Sequence, residues 1–295
     1  MLTWFLAACK STPTPFIPPS GNTLAPGETA PAVTAPEDTS LPPTATPTPS
    51  PTPIPLALTV NDEAITQAEY DASFARLLVA QPDLTPEDAR TRVLDEFVDQ
   101  LLLAHAATQA GYIVDDATLE AHIQALGPPE SLNTWMSANG YTEDLFRTEL
   151  RRALAAAWMR DQIVAGVPTT AEQVHVRQIL LLTAGEADSV YAQIQGGVAF
   201  DLMASYYDPV SLGDLGWFPR GYLTETAIEE AAFTLEIGKY SPVITTNLGY
   251  HIIELLDRQP DRPLEPAVLM DLQEKAVVTW LAQQRTASNI LVLLP

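Results

Sequence analysis

The chain has 295 residues with 15 Lys and Arg against 37 Asp and Glu, a formal net charge of −22. Length alone sets an expectation of about two domains. Scattered cations on so acidic a chain argue against nucleic-acid binding, which needs clustered positive charge against phosphates, and against charge-driven adhesion to anionic membranes. The one cysteine, Cys9, excludes an intramolecular disulfide, so packed cores must supply the stability.

Cys9 ends the run Leu6-Ala7-Ala8-Cys9. That run resembles the lipobox of bacterial lipoproteins, which implies lipidation at Cys9 and loss of the residues before it. Residues 1–8 carry no Lys or Arg and are shorter than an ordinary signal peptide; on the lipobox reading, either the start is placed too late or the true basic n-region is missing. No later stretch approaches the roughly 20 apolar residues of a membrane-crossing helix.

Residues 10–55 hold more than half of the 26 prolines, interleaved with Thr, Ser and Ala. Proline removes backbone donors and fixes φ, so this segment is predicted to be an extended, disordered linker with polyproline-II character. At about 3.1 Å per residue it could reach roughly 140 Å. An anchor followed by a spacer sets the folded part away from a membrane.

Folded structure is expected from Leu56. Leu56-Ala57-Leu58-Thr59-Val60 alternates like a short strand, and Asn61-Asp62 supplies a turn. Thr66-Gln67-Ala68-Glu69 reads as a capping box that opens a helix. Thr85-Pro86-Glu87-Asp88 opens a second one with a cap, a first-turn proline and acids at the positive dipole end. The pattern carries that helix to about Gln109 with Val93, Phe97 and Leu101 beside Leu94, Val98 and Leu102, while His105 continues the row as a core or rim residue. Further helices are expected at 116–126, 130–138 and 142–164, with Trp135, Phe146 and Trp158 as packing residues. Thr170 to Gln173 reads as a cap and a short helical turn. After it come a β-like apolar run at 174–182, helices at 186–195 and 200–206, a Gly-rich loop, a helix at 227–234, a strand at 250–256 and an amphipathic helix at 266–286.

Gly213-Asp214-Leu215-Gly216-Trp217-Phe218 followed by Arg220-Gly221, Ile228-Glu229-Glu230-Ala231-Ala232-Phe233, Leu235-x-x-Gly238-x-x-Ser241-x-Val243 and Leu248-Gly249-Tyr250-His251-Ile252-Ile253 occur in this order over about 85 residues. Together they resemble the parvulin-type peptidyl-prolyl isomerases. The flanking layout, with Thr59-Val60-Asn61-Asp62-Glu63-Ala64-Ile65-Thr66 at its start, is similar to the SurA/PrsA-type extracytoplasmic foldases. The resemblance implies an α+β chain: an FKBP-like parvulin domain at 171–259, inserted in a mostly helical chaperone domain at 56–170 that 260–295 completes. It also implies a lipid-anchored protein on the extracytoplasmic face of a bacterial envelope.

Prolyl isomerisation breaks no bond and needs no cofactor. Its barrier of about 18–20 kcal/mol arises because the twisted amide loses resonance. A catalyst therefore needs an apolar pocket for the ring beside a few fixed polar groups. By resemblance the pocket is Leu215, Leu223 and Ile228, with Phe233 as the remaining aromatic wall because Ile228 stands where an aromatic is usual. Asp208 falls where the family places Asp or Cys, in a shortened segment before Gly213, and its role would be electrostatic. His251 matches the family's second histidine and Thr246 its hydroxyl partner. Gln178 stands where many members have His; it can hydrogen-bond but cannot titrate. His175, three residues earlier, belongs to the other face of the strand. The loop 181–186 has no cation, which excludes the phosphate-reading branch of the family. Four isolated His and one Cys give no metal-ligand spacing. The expected partners are unfolded or proline-containing polypeptides and, through Cys9, a membrane. Two functions remain open: an active isomerase and chaperone, or a polypeptide-binding chaperone whose parvulin domain turns over weakly or not at all.

Overall fold

The computed structural model describes residues 54–294; Cys9 and nearly all of the Pro/Thr-rich segment lie outside them. Asn61 turns β1 (Leu56–Val60) into β2 (Glu63–Thr66) with φ of 54°, a left-handed conformation that asparagine tolerates. The capping box then opens α1 (Gln67–Ala80): the Thr66 hydroxyl accepts the Glu69 N–H, and the Glu69 carboxylate accepts the Thr66 N–H at 2.8 Å. In α2 (Pro86–Gln109) the Thr85 hydroxyl accepts the Asp88 N–H. Next come α3 (Asp116–Ala125), α4 (Pro129–Ala138) and α5 (Glu143–Ala165).

β3 (Thr170–Leu181) follows. The short helical turn expected at Thr170 to Gln173 is absent, because pairing across the sheet wins over the local cap signal: Thr170 sits opposite Pro263, and the buried Gln173 amide donates to the carbonyls of Arg262 and Pro263 at 2.9 and 3.1 Å. Then come α6 (Ala184–Gln195), α7 (Phe200–Tyr207), β4 (Asp214–Pro219), α8 (Thr226–Thr234), β5 (Ile244–Thr246), β6 (Gly249–Pro263), α9 (Pro266–Ala287) and β7 (Ile290–Val292). β4 occupies part of the stretch expected to be a Gly-rich loop, and β6 runs well beyond the strand expected at 250–256.

Two sheets organise the chain. The first, in order β2-β1-β7, brings the C-terminal end back beside β1. Ala57, Leu58, Val60 and Ile65 from this sheet pack on Val93, Phe97, Val98, Leu101 and Leu102 of α2, with Trp280 and Leu281 of α9 against them. A second helical core joins Ala104, Ala107, Leu119 and Ala155, and Tyr112 stacks on Trp158 at 4.6 Å. Trp135 is partly exposed but stacks on Tyr141 at 5.4 Å, and His105 lies at the rim, 3.8 Å from Glu63.

The second sheet, β4-β3-β6-β5, is antiparallel throughout. Alternation along its strands divides the core. Ile179, Leu181 and Ile252 face α6 and α7; Val176, Ile253 and Leu255 face α8. The strands that enter and leave this unit run side by side through Thr170–Pro263 and Ala171–Arg262, so the unit is spliced into the helical part at a two-stranded stem.

Candidate active site

The site grows from the alternation of β6. His251, two residues before Ile253, projects from the α8 face, and Gln178 of β3 lies directly opposite Ile253. His251 is only 2% exposed. Its Nδ1 is 3.1 Å from Gln178 Oε1, and its Nε2 is 2.9 Å from Thr246 Oγ1. The Thr246 hydroxyl also accepts the Leu248 N–H at 3.0 Å. An amide oxygen can only accept, so Nδ1 carries the proton and Nε2 accepts the Thr246 hydroxyl proton. Burial depresses the His251 pKa below its ordinary value, which keeps the ring neutral.

Asp208 closes α7 as its C-terminal cap. Its carboxylate accepts the Val210 and Ser211 N–H groups at 3.1 Å each and the Ser211 hydroxyl. The Ser211 hydrogen bonds, above all that from its hydroxyl, hold the carboxyl below the usual Asp range, so it is an anion at neutral pH. Asp208, Tyr207, Gln178, Leu180, Leu182 and Gly213 line one cavity of about 310 Å³. The buried polar chain from Thr246 through His251 therefore surfaces at Gln178, in the same cavity as the Asp208 carboxylate.

Two glycines allow this close approach. A Cβ on Gly213, at φ of 72°, would lie 2.1 Å from the Gln178 carbonyl oxygen. One on Gly249, at φ of 141°, would lie 2.5 Å from the Leu181 carbonyl oxygen. Only glycine fits both the dihedral and the space.

The four apolar candidates meet in one cluster with Val176, Phe218 and Ile253. They differ in access. Leu215 on β4 and Leu223 in the β4–α8 loop are half-buried, whereas Ile228 is 5% and Phe233 is 4% exposed. Phe233 is enclosed: Phe218 meets its ring edge to face at 6.2 Å, and the Arg220 guanidinium sits 4.1 Å from its centroid. Phe233 is thus a core residue in this conformation; Leu215 and Leu223 keep some exposed surface, and none of the four lines the cavity that holds Gln178 and Asp208.

Two supporting residues lie inside motifs already quoted but had no role assigned. Glu229 accepts the Gly221 and Leu223 N–H groups at 2.8 and 3.1 Å and so fixes the loop that carries Leu223. The buried Ser241 hydroxyl accepts the Ile253 N–H at 3.1 Å and donates to the Pro242 carbonyl. A polar residue within an apolar motif was the available signal for both. His175 pairs with Asp214 at 2.8 Å and stacks on Trp217, apart from the His251 chain.

Comparison with known proteins matches residues 164–259 to the PPIC-type PPIase domain and residues 46–160 to the SurA-like N-terminal domain. The foldase protein PrsA of Caldanaerobacter subterraneus subsp. tengcongensis is 28% identical over 225 residues, covering 66% of this chain and 71% of that one. The chaperone SurA of Thiobacillus denitrificans is 25% identical over 247 residues, covering 68% of this chain and 56% of its own length. The crystal structure of the peptidylprolyl isomerase PrsA from Bacillus cereus aligns with a TM-score of 0.46 at 20% identity, over 76% of this chain and 88% of that one.

Proposed function

We propose that this member of the PrsA/SurA foldases, built from a SurA-like N-terminal domain and a PPIC-type peptidyl-prolyl isomerase domain, isomerises X–Pro bonds in unfolded polypeptides and shelters those clients while they fold. The observation that carries the site assignment is the His251 chain, which ends at Gln178 in the cavity that Asp208 also lines.

The chemistry follows from the barrier. Rotation about the X–Pro bond uncouples the nitrogen lone pair from the carbonyl, at about 18–20 kcal/mol. Leu215 and Leu223 grip the ring and strip water from it. Asp208, Gln178 and the ordered dipoles behind Gln178 act on the changing charge of the twisted amide without reorganising. No proton transfer is required, so a residue that cannot titrate serves at position 178.

The domain assignment has 56–170 and 260–295 as one chaperone unit around an isomerase at 171–259. It is supported by the pairing of β7 with β1 and by the packing of Trp280 and Leu281 on the α2 core. Among the described residues no helix is long and apolar enough to cross a membrane. The protein is extracytoplasmic in this reading, tethered by a lipid on Cys9, which lies outside the described residues. Intact mass of the membrane-extracted protein before and after Cys9→Ala tests that anchor.

The function is tested by cis/trans exchange of a short Ala-Pro peptide, followed by NMR with the full chain and with Asp208→Ala. The expected result is exchange well above buffer that falls about tenfold or more in the variant. A second reading, a polypeptide-binding module with little turnover, is favoured by the enclosure of Phe233 and by Gln178. Exchange no faster than buffer, with the peptide still bound by a folded chain, selects it.

A further inference from the structure

The half-buried pocket residue Leu223 sits in the loop between β4 and α8, and that loop is held from two sides. From within the domain, Glu229 takes its Gly221 and Leu223 N–H groups. From outside, Lys275 on α9 donates to the carbonyl oxygens of Gly221 at 3.0 Å and Tyr222 at 2.7 Å, and its ammonium lies 5.6 Å from the Tyr222 ring centroid. Asp271, one turn earlier on α9, lies 2.8 Å from the Lys275 ammonium as an ion pair. Beside this contact is a cavity of about 380 Å³ lined by Val167, Pro168, Pro219, Leu264 and Leu272 among others, so apolar packing between α9 and the loop is incomplete there. The far end of α9 is fastened to α2: Arg285 donates to Asp99 at 2.8 Å and to Asp95 at 3.0 Å.

We propose that Lys275 is a positioning residue for the isomerase: the helical lobe reaches across through α9 and sets the loop that carries Leu223. This rests on the isomerase reading above. Glu229 satisfies the N–H side of the loop and Lys275 the carbonyl side. With both in place, Leu223 is fixed against Ile228 and Leu215 before a proline ring arrives. Without Lys275 the loop keeps its hinge at Gly221, whose φ is 79°, and the ring must order it on binding. That ordering cost falls equally on the bound ground state and the twisted state, so it appears in KM and leaves kcat nearly unchanged.

The test uses the full chain as wild type, Lys275→Met and Lys275→Arg, with cis/trans exchange of an Ala-Pro peptide measured across peptide concentration. The expected result is a KM raised about three- to tenfold in Lys275→Met with kcat within about twofold, and recovery in Lys275→Arg, whose guanidinium can donate to both carbonyls. Backbone amide exchange at Gly221 and Leu223 and the peptide Kd from shift titration are read in the same samples. Faster amide exchange and weaker binding in the Met variant support the proposal. Unchanged KM, Kd and amide exchange overturn it, as does a fall in kcat and thermal stability that arginine does not restore. Wild-type chain that binds the peptide without turnover sinks the isomerase reading, and the binding and amide data still decide the role of Lys275.

Discussion

Gly213 and Gly216 share nearly the same dihedral, φ of 72° and 71°, but not the same surroundings. A Cβ at Gly216 meets nothing within 4 Å, while one at Gly213 lies 2.1 Å from the Gln178 carbonyl oxygen. Alanine at either site meets the left-handed backbone penalty of about 1–2 kcal/mol, offset by about 0.4–1 kcal/mol from a stiffer unfolded chain. Gly216→Ala should therefore cost about 1 kcal/mol. At Gly213 the carbonyl is backbone and must retreat by more than 1 Å to reach an ordinary contact. That movement breaks the 2.7 Å hydrogen bond from Gln178 N–H to the Gly213 carbonyl, worth about 1 kcal/mol, and adds overpacking strain of about 1–3 kcal/mol. Gly213→Ala should cost about 3–5 kcal/mol in all. At about 2–4 °C per kcal/mol for a chain of this length, the melting temperature should fall by roughly 2–4 °C for Gly216→Ala and by roughly 6–20 °C for Gly213→Ala. Calorimetry on both variants measures this, and peptide exchange on the same samples should show a larger loss at 213, because Gln178 and Asp208 move with it. Equal melting temperatures for the two variants would refute the argument that backbone crowding, and not the dihedral, is what requires glycine beside Gln178.

Thr246→Val removes the donor to His251 Nε2 and the acceptor for the Leu248 N–H; leaving a buried acceptor unpaired should cost about 1–3 kcal/mol in urea unfolding and lower peptide exchange. The depressed pKa of His251 makes the unfolded state the better proton binder, so its contribution to stability is complete above pH ~6.5 and is lost as pH falls toward the folded pKa. The Cε1 proton of His251 should titrate in NMR with a midpoint below 6.5; a midpoint at or above 6.5 contradicts the buried neutral ring. Glu69 both completes the α1 capping box and pairs with the largely buried Arg152 at 3.3 Å. Glu69→Ala should cost about 3–5 kcal/mol by leaving that cation unpaired, whereas loss of a cap alone would cost nearer 1 kcal/mol; urea unfolding separates the two.

The helical lobe was legible because its signals are local. Thr66 and Thr85 cap helices where their side chains suggested, and the rows through Val93 and Phe97 form the buried face of α2. The partnership of Glu69 with Arg152 lies 83 residues along the chain, where no helix pattern could show it. The short strands were hidden for a different reason. β2, β5 and β7 have four, three and three residues, too few for period-two alternation to register. β4 lies between the left-handed glycines 213 and 221 with a third, Gly216, inside it, which masks its strand pattern, and it pairs along the edge that β3 offers. Thr170 to Gln173 carried a true local preference for a cap and was overruled by partners at 259–263. One quoted motif holds His251, and the family resemblance pointed to Thr246 and Gln178; their hydrogen-bonded chain depends on the β3–β6 register that brings Gln178 across from Ile253.

That register gives the glutamine at 178 a consequence for the chemistry. An amide oxygen facing Nδ1 leaves the His251 chain one polarity: Leu248 N–H to Thr246 hydroxyl, hydroxyl to Nε2, Nδ1–H to Gln178. The NH₂ of Gln178 is then the end of the chain not engaged by His251, and Gln178 shares a cavity with Asp208, whose carboxylate is fixed by Ser211 and Val210. A donor and an anion placed beside a rotating amide would interact differently with its planar and twisted states, because the carbonyl dipole and the nitrogen lone pair change with the twist. A dyad of two histidines reverses its polarity by tautomerisation alone, whereas here reversal also requires the Gln178 amide to turn over. If this site isomerises proline bonds, its selectivity for the twisted state draws on preorganisation, and the glycines at 213 and 249 and the buried Ser241 hydroxyl that hold the frame then matter to rate.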